Sequence, residues 1–138
     1  MRSLFVDTSV WYAAADRGDR SHGRAVQILS RGERLITSDH VLLETWLLLR
    51  SRLGKGAAEA FWFALKSGAA AIEVVGLGDL EVAWSIGEAF PDQDFSLADR
   101  SSFAVMQRLG VHRAASFDDD FSIFRFGPGR RRAFEVVA

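Results

Sequence analysis

Apolar residues fall in short blocks, divided by charged and small polar residues, and the blocks alternate between strand-like and helix-like spacing. Ser3 to Val6 is a brief apolar run suited to a strand buried on both faces, and Asp7 ends it. Val10 to Ala15 and Ser21 to Arg31 read as two helices, and Arg34 to Thr37 as a second strand. Asp39 to Arg52 is a strong helix, with Ser38 or Asp39 at its cap and Gly54 beyond its end. Ala57 to Lys66 is the next helix, Ala71 to Val75 a third strand, and Leu77 to Phe90 a helix stopped by Pro91. Ser96-Leu97-Ala98-Asp99 has the form of a capping box, opening a helix to Leu109 that Gly110 closes. Arg113 to Phe117 is a fourth strand, Asp118 opens a short helical turn, and Phe134 to Val137 is a last strand. Strands alternating with helices predict an α/β fold, with a central, mostly parallel sheet flanked by helices.

Size keeps this to one domain, residues 1–138. The 49% hydrophobic and 25% charged content is that of a globular chain with a core. No internal repeat or linker interrupts it. The absence of Cys excludes disulfides, thiol catalysis and Cys-held metal. Asp7 comes too early for a signal-peptide apolar core, and no apolar run nears the ~20 residues a membrane span needs. A soluble, cytoplasmic protein with no membrane partner is expected. The net charge of −1 supplies no general attraction for nucleic acid, so a polyanion would need a local patch or bound cations.

Four acids change the picture. Asp7 ends the first strand, Glu44 lies one turn into its helix, Asp99 sits in a first helical turn, and Asp118 ends the fourth strand. In a parallel sheet, strand ends and the helix starts that follow share one rim, where ligands bind. Gathered there, the four carboxylates repel and raise one another's pKa values unless a cation neutralises them. All-oxygen ligands suit Mg²⁺ or Mn²⁺, and such a site activates water and steadies charge on a phosphodiester. Each acid also has a plainer role open to it. Asp7 suits a helix cap, Asp99 a capping-box partner for Ser96, and Asp118-Asp119-Asp120 a solvated turn. Glu44 lies in Val41-Leu42-Leu43-Glu44-Thr45-Trp46-Leu47-Leu48-Leu49, apolar almost all round, which reads as a buried helix. No Lys or Arg lies between Arg34 and Arg50 to pair with it.

Other classes fit less well. A phosphatase of the Asp-x-Asp type would want an acid where Ser9 stands. A receiver domain would want an acidic pair after the first strand, where Asp7 is followed by Thr8. Ala83-Trp84-Ser85-Ile86-Gly87 lacks the first Gly of a nucleophile elbow and lies in a helix. Gly76-Leu77-Gly78 lacks the third Gly of a dinucleotide loop. His22, His40 and His112 share no metal-ligand spacing. The aromatic residues Trp46, Phe61, Trp62 and Phe63 on consecutive helices suit the core, with a surplus face open to a partner.

These residues resemble a known family. Leu4-Phe5-Val6-Asp7-Thr8-Ser9-Val10 is similar to the opening of PIN-domain ribonucleases, in particular VapC-type toxins. Ser38 to Glu44 resembles the family's second acidic position, and Phe95 to Met106 the third, which holds Asp99. Ala115-Ser116-Phe117-Asp118-Asp119-Asp120-Phe121 resembles the fourth. The resemblance covers essentially the whole chain and implies a Rossmann-like PIN domain and a Mg²⁺- or Mn²⁺-dependent endoribonuclease. It also implies a VapB-like antitoxin over the active site, and a homodimer. Asp7, Glu44, Asp99 and Asp118 carry over as the metal-binding and catalytic acids. Ser9, Ser96, Ser116 and Asp120 would support them from behind. With no His, Lys or Tyr at a suitable position, the metal carries most of the acid–base work. Arg100 points about 100° from Asp99 on the helix. With the basic run of Arg125, Arg130, Arg131 and Arg132, it is a candidate for RNA contact. The alternatives are a non-toxin PIN-domain nuclease, or a catalytically silent PIN-like module that only binds a partner.

Overall fold

The computed structural model describes residues 2–138. The chain runs β1 (Ser3–Val6), α1 (Thr8–Ala15), α2 (His22–Leu29), β2 (Arg34–Ser38), α3 (Asp39–Leu53) and α4 (Lys55–Ala64). It continues through β3 (Ala71–Glu73), α5 (Leu77–Ala89), α6 (Leu97–Leu109), β4 (Arg113–Ala115), α7 (Asp120–Ile123) and β5 (Glu135–Val137). The strands form one sheet in the order β3-β2-β1-β4-β5, and every pairing is parallel. The sheet is thus wholly parallel, where the sequence predicts a mostly parallel one.

β1 lies at the centre because it can. Leu4, Phe5 and Val6 are fully buried, as a strand covered on both faces requires. Phe5 pairs with Ile36 on one side and Ala114 on the other. This register brings the ends of β1 and β4 together, so Asp7 and Ser116 leave the sheet side by side.

Two strands are shorter than the apolar pattern suggests, for the same reason. β3 stops at Glu73, and Val75 N–H donates to Asp39 Oδ1 at 3.0 Å. β4 stops at Ala115, and Phe117 N–H and Asp118 N–H donate to Ser9 Oγ and Ser116 Oγ. Side-chain oxygens satisfy these backbone groups where the ladder would otherwise continue.

Ser38 Oγ caps α3 by accepting from Val41 N–H at 3.1 Å, and Gly54 ends that helix at φ 101°. Only glycine holds such a φ without strain. The expectation that α3 is buried on all sides is corrected here. Val41, Thr45 and Leu49 form its buried stripe, while Leu43 and Leu47 are 59% and 53% exposed. The apolar run is wider than the stripe that packs, so it leaves hydrophobic surface outside. Trp62 and Phe63 of α4 add to it, while Phe61 is buried.

Phenylalanine dominates the packing beneath Asp118, Asp119 and Asp120. Phe103 of α6 stacks on Phe124 with centroids 4.4 Å apart and meets Phe121 edge-on at 4.9 Å. These contacts tie α6 to α7, the helix that follows the acidic loop. No helix among the described residues is long and apolar enough to cross a membrane.

Candidate functional site

Asp7 stands at the N-cap of α1, yet its side chain makes no cap hydrogen bond. Its carboxylate is only 4% exposed, and Oδ2 accepts from both Ser9 Oγ and Ser116 Oγ at 2.9 Å. The two hydroxyls are themselves fixed, since Ser9 Oγ accepts from Phe117 N–H and Ser116 Oγ from Asp118 N–H. Of the two open roles for Asp7, the structure thus favours a held carboxylate over a cap. Burial raises its pKa despite these two hydrogen bonds, and the charge of Glu44 raises it further.

Asp99 follows the same logic. Ser96 Oγ accepts from Asp99 N–H at 3.0 Å, so one half of the expected capping box is present. The carboxylate does not close the box. It lies with those of Asp118 and Asp120, with one oxygen from each within 4.8 Å of the others. Burial, a hydrogen bond with Asp120 and the charges of Asp7 and Asp118 push Asp99 up to about 8. Burial raises Asp120 as well, with the charges of Asp118, Asp119 and Asp94 adding to it. Asp120 N–H donates to Asp118 Oδ1 at 2.9 Å, which shapes the acidic loop. Phe121 is fully buried and anchors it.

The donor set suits a hard divalent cation. It is all oxygen, and none of the three acids is in an ion pair with Lys or Arg among the described residues. The cluster differs in membership from the sequence expectation. Asp120, read there as a supporting residue, lies in it. Asp7 and Glu44, both expected in it, lie outside the cluster of three: the charge of Asp7 acts on Asp99, and Glu44, half-buried on α3, acts on Asp7. Glu44 instead lines a shallow pocket with Thr8, Leu47, Leu48 and Ser51. The sequence reading ranks Asp118 above Asp120, whereas the structure brings both carboxylates to Asp99. The turn made by Asp118 Oδ1 is what selects Asp120.

Ser9 and Ser116 orient Asp7, whereas Ser96 fixes the backbone of Asp99 and touches no carboxylate. Arg100 turns away from Asp99 toward α5, where Nη1 donates to Ala83 O at 3.3 Å. The C-terminal arginines are largely engaged in their own segment. Arg125 donates to the carbonyls of Ser122, Ile123 and Phe124. Arg130 lies over the Phe90 ring and Arg132 over Phe126, and Arg131 is exposed. His40 hydrogen-bonds Asp39 at the start of α3.

A wholly parallel five-stranded sheet with acids gathered at one rim defines an α/β protein whose ligand site lies at the strand ends. The PIN domain model matches residues 4–127, and the chain belongs to the PIN-domain family. It is 40% identical over 124 residues to the 23S rRNA-specific endonuclease VapC20 of Mycobacterium tuberculosis, covering 89% of this chain and 95% of that protein. The crystal structure of VapC20, described as a sarcin–ricin-loop-cleaving toxin, superposes with a TM-score of 0.82 at 39% identity. That match covers 87% of this chain and 93% of the other. The ribonuclease VapC26 of the same organism is 27% identical over 130 residues, covering 92% of this chain and 96% of VapC26. VapBC2 of Rickettsia felis, solved bound to promoter DNA, shares the fold at 10% identity. Its TM-score is 0.65, over 86% of this chain and 89% of that one.

Proposed function

We propose that this chain is a cytoplasmic, divalent-metal-dependent endoribonuclease, the toxin half of a VapBC-type pair. One observation carries the chemistry. Asp99 is buried, and the carboxylates of Asp118 and Asp120 lie close beside it, so that it keeps its proton to about pH 8 unless a cation takes the proton's place. The similarity to an endonuclease specific for 23S rRNA supports RNA as the substrate class, with ribosomal RNA first to be tried.

In this reading Asp7, Glu44, Asp99 and Asp118 are the catalytic, metal-binding acids, and Asp120 joins them as a ligand. A Mg²⁺ or Mn²⁺ ion bound there supplies water activation and offsets charge at the scissile phosphate. The protein's part is to hold the acids still. Ser9 and Ser116 clamp one oxygen of Asp7 and leave the other without a side-chain partner. Ser96 starts α6 so that Asp99 faces the cluster. Phe121 pins the loop carrying Asp118 and Asp120.

The exposed strip of Leu43, Leu47, Trp62 and Phe63 on α3 and α4 is the surface proposed for a VapB-like antitoxin. It borders the pocket lined by Glu44 and Leu47, so an apolar segment seated there reaches the acids. A homodimer is proposed on the family's pattern, and sedimentation of the purified protein tests it.

The deciding experiment is cleavage of total RNA by wild type and Asp7→Asn, each with Mg²⁺, Mn²⁺ or chelator. Discrete metal-dependent fragments that vanish in the variant are expected. Equal cleavage by both proteins would overturn the role of Asp7.

A further inference from the structure

We propose that the pocket between α5 and the start of α6 receives one unstacked nucleobase of the RNA, a guanine, beside the acidic cluster. This rests on the RNA-cleavage reading above and adds a base preference to it. The pocket has a volume of about 280 Å³ and is lined by Trp84, Gly87, Glu88, Gln93, Asp94 and Arg100, with Phe95 behind them. It adjoins the acids at two points. Arg100 directly follows Asp99, and the charge of Asp94 acts on Asp120.

Among the described residues, its charged side chains form no ion pair. Trp84 is 67% exposed and makes no aromatic pair among the described residues, leaving a ring face free. Arg100 donates one hydrogen bond, to Ala83 O, and its Nε is buried with no partner. Glu88 and Asp94 line the same space, yet neither forms an ion pair with Arg100. Opposite charges sharing a pocket without meeting leave room for a group that bonds to both. Gly87 sets this arrangement, since a Cβ added there would run into Arg100 Nη1. The glycine lets the guanidinium lie flat against α5.

The charge pattern selects the ligand. Two carboxylates against one guanidinium disfavour a phosphate. They suit an edge that carries donors and acceptors together. Guanine presents N1–H and N2–H to a carboxylate, and O6 and N7 to Arg. An unpaired base stacks on an exposed aromatic ring, which is how single-stranded RNA is read. Trp84 supplies the ring, while Glu88, Asp94 and Arg100 supply the edge contacts.

The test measures binding in chelator, so that it does not depend on cleavage. Two short single-stranded RNAs differing by one guanine-to-adenine change are titrated against wild type, Trp84→Ala, and the Glu88→Gln Asp94→Asn double variant. Wild type is expected to bind the guanine strand about tenfold more tightly. Trp84→Ala should weaken both strands about tenfold, the loss of one stacked base. The double variant should bind both strands alike. Equal affinity of wild type for the two strands overturns the proposal, and so does a guanine preference that survives in both variants. A guanine preference in a wild type that cuts no RNA with Mn²⁺ would support the pocket and sink the nuclease reading. Metal-dependent cleavage with no base preference would do the reverse.

Discussion

Ser116 Oγ donates to Asp7 Oδ2 at 2.9 Å, joining the end of β4 to the end of β1 across most of the chain's length. The bond exists because the two strands pair in parallel, so both ends arrive at the same rim. It lowers the pKa of a carboxylate that burial raises. Removing the donor therefore moves the acid upward. Ser116→Ala is expected to cut RNA about tenfold more slowly, the loss of one charge-assisted hydrogen bond of roughly 1.5 kcal/mol. Its pH–rate profile should shift to higher pH on the acid side. An unchanged profile would mean that Ser116 only supports the loop.

Asp99 makes a prediction about stability. Its pKa is about 8 in the folded chain, against 3.8 for the unperturbed group. A raised carboxyl pKa means that the folded state binds the proton more tightly. The resulting stability is complete below about pH 4 and is lost as pH rises through 8. Thermal melts of the metal-free protein should show Tm falling across that window. Mn²⁺ at pH 8 should restore it, and Asp99→Asn should flatten the dependence. A metal-free Tm that climbs from pH 4 to 8 would contradict this ordering of charges.

Much of this was legible in the sequence, and the exceptions share a cause. Asp7 and Asp99 fall at a strand end and a helix start, positions that block patterning locates well, whereas Asp118, expected at the end of the fourth strand, lies in the loop past the end of β4 at Ala115. The bounds of α3 and α6 follow from Ser38, Gly54, Ser96 and Gly110, whose chemistry is local. Sequence could not tell whether the carboxylates of Asp7 and Asp99 close a cap or turn away from it, because an acid at a helix start suits either arrangement. The choice depends on Ser116, Asp118 and Asp120, which are distant in the chain. The exposure of Leu43 and Leu47 was hidden for a similar reason. An apolar run shows which residues avoid water, while the width of the buried stripe is set by the helices that pack against it. The pocket at Trp84 and Gly87 left no motif at all, since Arg100 reaches it from another helix.

Packing beneath the acidic loop is expected to control the site from a distance. Phe103 is fully buried against Phe121, Phe124 and Phe134. Phe103→Ala should cost about 3–5 kcal/mol of stability, through lost burial and the cavity left behind. Phe103→Leu should cost clearly less. The cavity opens under Phe121, next to Asp120, so Mn²⁺ affinity should fall in the alanine variant even at temperatures where it stays folded. Denaturant melts and metal titration separate the two effects. An alanine variant that loses stability but keeps wild-type metal affinity would show that the loop holds its own shape.

The exposed strip on α3 and α4 yields a prediction that keeps the fold apart from partner binding. Leu43, Leu47 and Phe63 are more than half exposed, so charging them removes little from the core. Covering each by an apolar partner is worth about 1.5–3 kcal/mol, so its loss weakens such a complex roughly tenfold or more. The double variant Leu43→Asp Phe63→Asp should therefore melt like wild type and cleave RNA at a similar rate. It should escape neutralisation when co-expressed with the proposed VapB-like antitoxin. Neither position touches the cluster of Asp99, Asp118 and Asp120, so a fall in cleavage would point to misfolding, which the melt detects. A variant that melts normally and is still neutralised would move the antitoxin to another face. The most exposed of the other large apolar residues, Val74, Leu77 and Trp84, would then be the next candidates for the antitoxin's seat.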